Sequence, residues 1–206
     1  MEDDEKKTIP IIPLDEIHIK VMSDSICIFA KADVAGALFE IIFMCLDFQC
    51  RMIEHNPPIL LRGAITKGKL YYNGDVLFGP GFIKAYLMEE NNAHEPRIII
   101  TRSILDEYNS KNKEYSIPED TILVRDYDAF YYVNYIAAYG FTNRKKRGKY
   151  DELYEYIESV LDSTNDESIR RKFLYLESKV VSCLNDEQYN SCCGNTTGEI
   201  RDVGKH

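Results

Sequence analysis

Three segments decide how this chain folds: Leu61-Arg-Gly-Ala-Ile-Thr-Lys-Gly68, Phe78-Gly-Pro-Gly-Phe-Ile-Lys-Ala-Tyr-Leu-Met-Glu-Glu90 and Pro96-Arg-Ile-Ile-Ile100. The first is a short apolar run closed by Lys67-Gly68, the pattern of a strand entering a turn. In the second, Gly79-Pro80-Gly81 breaks the chain, and the residues from Phe82 to about Asn92 continue as a helix. The third is a β-branched run bounded by proline, which reads as a buried strand.

The pattern extends in both directions. Upstream, Ile17-His-Ile-Lys-Val-Met22 and Ser25-Ile-Cys-Ile-Phe29 flank Ser23-Asp24, a hairpin with Asp24 at its tip. Asp33 stands as an N-cap for a helix over 34–54 that is apolar on almost every side and ends before Pro57-Pro58. Such a helix lies under a sheet or at a dimer interface. Between the deciding segments, Asn73-Gly74 separates Lys69–Tyr72 from Val76-Leu-Phe78, giving two more short strands. Downstream, a weaker helix spans 103–109, and Ile122–Asp126 with Phe130–Tyr135 suggest a late hairpin around Tyr127-Asp128-Ala129. A basic break at Asn143-Arg-Lys-Lys-Arg-Gly148 precedes two amphipathic helices, 150–161 and 166–184. Thr164 and Glu167 have capping-box spacing for the second. The expected organisation is therefore a polar leader at 1–15, an α+β domain at 16–140, a helical extension at 141–189 and a disordered tail at 190–206.

Composition removes several classes of function. With 206 residues, 25 Lys+Arg and 34 Asp+Glu, the chain has a formal charge of -9, which argues against binding nucleic acid through bulk electrostatics. The six cysteines and four histidines form no C-x-x-C pair and no H-E-x-x-H, so a structural zinc site is not expected. No phosphate-binding G-x-x-x-x-G-K-[ST] loop, dinucleotide fingerprint, nucleophile elbow or kinase set occurs. The charged start MEDDEKK has no apolar stretch behind it, so the expected compartment is the cytoplasm, with reduced thiols. The apolar run 34–48 carries Glu40 and Asp47 and is too short to span a bilayer, so no membrane is expected as partner.

The hairpin with Ser23-Asp-Ser-Ile26, the strand Arg62-Gly-Ala-Ile65, the helix start Phe78-Gly-Pro-Gly81 and the strand Pro96-Arg-Ile-Ile99 occur in the order seen in one group of enzymes. Together they resemble a class III nucleotidyl cyclase domain, and most closely the pyrimidine cyclases of the Pycsar anti-phage system. Asp126-Tyr-Asp-Ala-Phe-Tyr-Tyr-Val-Asn134 resembles that family's D-x-D-G-x-x-x-V-D segment, and Arg171-Lys-Phe-Leu-Tyr-Leu176 its late helical motif. The resemblance covers most of residues 16–180. It implies an α+β, ferredoxin-like cyclase domain with C-terminal helices, here lacking the family's first strand, since only 23 residues precede Asp24.

What the resemblance implies about chemistry is specific. A phosphorus-oxygen lyase of this kind turns UTP into cyclic UMP and pyrophosphate; CTP to cyclic CMP is the alternative, and a degenerate regulatory cyclase-like protein is another. Two divalent ions, Mn2+ by resemblance, would neutralise the triphosphate. Asp24 matches one of the family's two metal-binding aspartates, against the plain reading of a turn-favouring Asp. Lys20 matches a base-contacting lysine, against a solvent-facing strand lysine. Arg62, Lys67, Lys84 and Arg97 could contact the triphosphate, against ordinary surface charge, with Arg62 and Lys84 taken as nucleotide-binding candidates. Asp15 is a poor substitute for the other metal aspartate, and no catalytic residue is assigned. Aligned on the wider class III pattern, Ile83 and Leu87 stand where a ribose-contacting asparagine and a transition-state arginine are expected, which favours the pyrimidine branch. The implied partners are a second copy, in a homodimer whose sites lie at the interface, and a separate effector that senses the cyclic nucleotide. The apolar 34–48 helix and the tyrosine-rich 127–139 stretch are the candidate interface, with core packing as the alternative.

Overall fold

The computed structural model describes residues 9–115, 122–142 and 148–185. The basic run at 143–147 and the tail from 190 lie outside the described residues. The chain divides into two compact units, Met1–Tyr135 and Ile136–His206.

The first unit is mixed α+β. After a 3-10 turn at Leu14–Glu16, β1 (Ile17–Met22) and β2 (Ser25–Ala30) form an antiparallel hairpin with Met22 opposite Ser25. Helix α1 (Ala37–Ile53) follows, then β3 (Gly63–Ile65), β4 (Tyr71–Tyr72), β5 (Leu77–Phe78) and α2 (Pro80–Asn92). The unit continues with β6 (Ile98–Ile100), α3 (Arg102–Tyr115), β7 (Leu123–Arg125) and β8 (Tyr131–Val133). Four strands make the main sheet in the order β3-β6-β8-β7, with β3 parallel to β6 and the other pairs antiparallel. The hairpins β1-β2 and β4-β5 are separate two-stranded ladders.

The three isoleucines of β6 show how the sheet is covered. Ile98 and Ile100 point to one face and Ile99 to the other, as period-2 geometry requires. On the first face, Leu38, Phe39, Ile42 and Cys45 of α1 and Ile104, Leu105 and Tyr108 of α3 form the main core with Ile65, Leu123 and Val133. On the second, Ile99 and Tyr132 pack with Ala93 and Met88 from the α2 side. A run buried on both faces must be apolar throughout, which is why β6 carries no alternation.

Helix α1 confirms the expected buried helix and corrects its start. The helix begins at Ala37, with Gly36 at φ 87° as its cap, and Asp33 lies exposed in the preceding turn. The Pro10 carbonyl sits 2.4 Å from where a Cβ on residue 36 would be, so the crossing segment needs glycine there and delays the helix. The face of α1 reading 38, 39, 42 and 45 belongs to this unit's own core, which answers the interface-or-sheet alternative for those residues in favour of the sheet. Tyr132 and Tyr135 of the tyrosine-rich stretch are likewise buried.

Helix α2 is seated by a glycine crossing. A Cβ on Gly68 would lie 2.7 Å from the Gly81 Cα, and one on Gly79 (φ 139°) would lie 2.6 Å from the Lys69 carbonyl oxygen. The Gly81 N–H donates to that carbonyl at 2.9 Å. The Gly-Pro-Gly sequence is thus needed for close backbone approach as well as for breaking the chain.

Helix α4 (Tyr135–Thr142), whose first residue the β-branched and aromatic pattern places at the end of a strand, opens at the last residue of the first unit. The second unit holds α5 (Gly148–Ser163) and α6 (Glu167–Asn185), which pack on each other. The cap of α6 is Asp166, not Thr164: its Oδ1 accepts from the Ser168 and Ile169 N–H groups at 2.8 and 3.0 Å. Thr164 Oγ1 instead accepts from the Asp166 N–H at 3.2 Å. Among the described residues, no helix is long and apolar enough to cross a membrane.

Ala129 closes the β7–β8 turn at φ 69°, a left-handed conformation that costs an L-residue about 1–2 kcal/mol. Part of the gain from glycine is offset by its greater unfolded-state freedom, about 0.4–1 kcal/mol. Ala129→Gly should therefore stabilise the first unit by about 0.5 kcal/mol, read as a higher urea midpoint at unchanged slope.

Candidate functional site

The β1-β2 hairpin presents Asp24 at its two-residue turn, where Ser23 adopts φ 55°. The Asp24 side chain is exposed and makes no ion pair among the described residues. One pleat back, Lys20 lies opposite Cys27, and its Nζ donates to the Gly74 carbonyl oxygen at 2.8 Å. Gly74 belongs to the expected Asn73-Gly74 turn, in which Asn73 Oδ1 accepts from the Val76 N–H at 2.9 Å.

The same hairpin face brings His18 and Phe29 together, opposite each other in register, and both meet Tyr72 of β4. The centroid distances are 5.3 Å for His18–Phe29, 5.4 Å for His18–Tyr72 and 4.9 Å for Phe29–Tyr72. Three rings and one lysine thus fasten the Asp24 hairpin to the β4-β5 hairpin. Period-2 alternation puts 18 and 20 on one face, but no short-range signal pairs them with Tyr72, 52 residues or more away in sequence.

The expected phosphate-contacting cations separate into different environments. Arg62, just before β3, pairs through Nε with Glu89 of α2, and its Nη2 is 4.0 Å from Glu90. Lys67 donates to Glu107 of α3 at 2.8 Å. Lys84 is exposed on α2 and makes no ion pair among the described residues. The four residues Lys20, Asp24, Arg62 and Lys84 therefore lie on three supports: the hairpin, the approach to β3 and α2.

Arg97 differs most from the surface-charge reading. It is 0% exposed, and its guanidinium is held by Asp126, Asp128 and Glu95. The Tyr127 and Tyr132 rings lie 5.7 and 5.9 Å from its Cζ. Each carboxylate is used more than once. Asp126 Oδ1 accepts from the Tyr127 N–H, Asp128 Oδ1 from the Phe130 N–H and Glu95 Oε1 from the Tyr127 hydroxyl at 2.8 Å. Desolvation, followed by the bond to Glu95, pushes the Tyr127 phenol up to about 12. A lone buried arginine is costly, so the D-x-D spacing across the β7–β8 turn serves as its receptor. This is a structural ion cluster that locks the turn to the entry of β6, and it leaves Arg97 no freedom to meet a ligand.

Among the described residues there is no group of three or more His, Cys, Asp or Glu side chains placed to hold a metal ion. Asp24 alone does not make a resident site. A single exposed carboxylate does suit an ion that arrives bound to nucleotide phosphates, since Mg2+-like ions are commonly held by one or two carboxylates with the phosphates supplying the rest.

No family model, curated protein or solved structure matches this chain.

Replacing Arg97 by Met would leave three carboxylates buried or half-buried without their cation. Arg97→Met should cost about 3–5 kcal/mol, the scale for breaking a buried ion pair from one side. Chemical denaturation at neutral pH should show this loss as a lower urea midpoint.

Proposed function

We propose that this chain is a pyrimidine nucleotide cyclase of the class III type, converting UTP to cyclic UMP and pyrophosphate, with CTP as the alternative substrate. The single observation that most supports this reading is Asp24, presented to solvent at a hairpin tip while Lys20 is fixed on the same hairpin by the Gly74 carbonyl. The order of the four sequence segments around that hairpin gives the reading its family. Its finer fold is then the ferredoxin-like cyclase domain.

The reaction asks little covalent chemistry of the protein. The ribose 3'-oxygen forms a bond to the α-phosphorus, the bond from that phosphorus to the bridging oxygen breaks, and pyrophosphate leaves with the electron pair. The 3'-hydroxyl proton passes to solvent or to a phosphate oxygen. Catalysis then consists of positioning and neutralising charge. When bound, Mn2+ would supply part of that neutralisation, with Asp24 as its protein ligand. Lys20 would approach the base from its strand, and Arg62, half-exposed beside Glu89, would face the phosphates. The working unit in this reading is a homodimer, in the cytoplasm, whose cyclic product reports phage infection to a separate effector.

A second reading is favoured by one observation, the lack of a three-ligand metal group among the described residues. In it the domain is a cyclase relative that binds nucleotide without turning it over.

Incubation of the purified chain with Mn2+ and UTP, CTP, ATP or GTP in turn, followed by mass spectrometry, separates the readings. One cyclic pyrimidine product that falls at least 100-fold in Asp24→Asn is expected, in line with loss of a transition-state charge interaction. Absence of product from every nucleotide, with the protein folded, refutes the enzyme and leaves the binding reading.

A further inference from the structure

Helix α2 is unusual among the helices of the first unit because none of its residues is buried. Its inner side meets the sheet through half-buried Met88, while its outer side exposes three apolar residues. Ile83 is 55% exposed, Tyr86 55% and Leu87 50%, at i, i+3 and i+4, so the three side chains form one continuous ridge. Phe78, two residues before the helix, adds a fourth exposed apolar group at 56%. Scattered apolar residues on a surface need no explanation, but a contiguous ridge at helical spacing does.

The charges along this ridge are asymmetric. Lys84 lies near its N-terminal end, exposed and without an ion pair among the described residues. Glu90 lies one turn beyond Leu87, exposed, with Arg62 only at 4.0 Å because that guanidinium is engaged by Glu89. One end of the ridge therefore carries an exposed cation and the other an exposed anion whose one ion pair, to Arg62, is long at 4.0 Å.

We infer that the Ile83–Tyr86–Leu87 ridge of α2 is where a second copy of this chain docks, the two α2 helices lying antiparallel about a two-fold axis near Tyr86 and Leu87. In that arrangement Ile83 of each chain approaches the far turn of the other, and Lys84 of each chain falls within a turn of Glu90 of the other. A parallel pair would put Lys84 against Lys84 and Glu90 against Glu90. The apolar ridge supplies the attraction, and the charge pattern selects a second copy in antiparallel sense over an unrelated apolar partner. The helix dipoles are also opposed in this sense. The pairing gives Lys84 to the interface and leaves the triphosphate to Arg62. It deepens the homodimer of the cyclase reading by naming its face, but it draws only on α2 and is tested without nucleotide.

Three residues and a flanking Phe78 from each chain make a small interface, so the association should be weak and concentration-dependent. Sedimentation equilibrium on the full chain, without nucleotide, should show a reversible monomer–dimer system. Leu87→Asp should abolish it. Lys84→Glu and Glu90→Lys should each weaken self-association at least 10-fold, while their equimolar mixture associates more tightly than either alone. Circular dichroism should match the parent for all three, since the substituted side chains are exposed. A monomer at every concentration, a dimer indifferent to Leu87→Asp, or singles whose mixture is no tighter than either alone would each overturn the inference. Cyclase activity in a strictly monomeric protein would refute this interface together with the homodimer of the cyclase reading, and leave the turnover chemistry of that reading standing.

Discussion

The ion cluster around Arg97 is the constraint that the first unit depends on. A guanidinium with no exposure is tolerable only where fixed carboxylates surround it, and here they come from two places: Glu95, two residues away, and Asp126 with Asp128, across the sheet in the β7–β8 turn. The cluster joins the start of β6 to the strand pair on its far side. Because β6 also pairs with β3 and is buried on both faces, the placement of the main sheet is tied to one arginine. The surrounding apolar core supplies most of the stabilisation, and the cluster makes the β7–β8 register specific.

From that frame the candidate site is reached through backbone constraints rather than through the core. The Gly68–Gly81 crossing sets the start of α2, and the Asn73-Gly74 turn receives Lys20. Asp24 is thereby presented at the end of a hairpin that is fastened by the His18, Phe29 and Tyr72 rings and that forms, among the described residues, a two-stranded ladder separate from the main sheet. Its stiffness comes from that aromatic contact and from α1, which packs against β2.

Much of this was legible in the sequence for identifiable reasons. The Ser23-Asp24 hairpin, the Asn73-Gly74 turn and the Ile98–Ile100 strand each carry a local signal, turn chemistry or an unbroken β-branched run, and each stands where that signal put it. The failures were tertiary. Asp33 looks like a cap only until the 9–12 segment is seen crossing at Gly36, and Thr164 loses its cap role to Asp166, a better acceptor two residues on. Helix α4 was missed because Tyr135 to Thr142 lacks amphipathic periodicity. Arg97 was misread because nothing near it announces that Asp126 and Asp128, 29 and 31 residues later, will enclose it. Of the site residues, Asp24 was legible from turn chemistry, whereas the partners of Lys20 and Arg62 depend on chain crossings that no spacing rule reports.

The central claim is that Asp24 meets the phosphates of a pyrimidine nucleotide through a divalent ion. Electron paramagnetic resonance of Mn2+, titrated into the protein with the non-cyclisable 3'-deoxy analogue of UTP, tests it without turnover. The account predicts a bound Mn2+ signal that needs both protein and nucleotide and is lost in Asp24→Asn. A signal equally strong in Asp24→Asn, or no ternary signal in the parent, would contradict it.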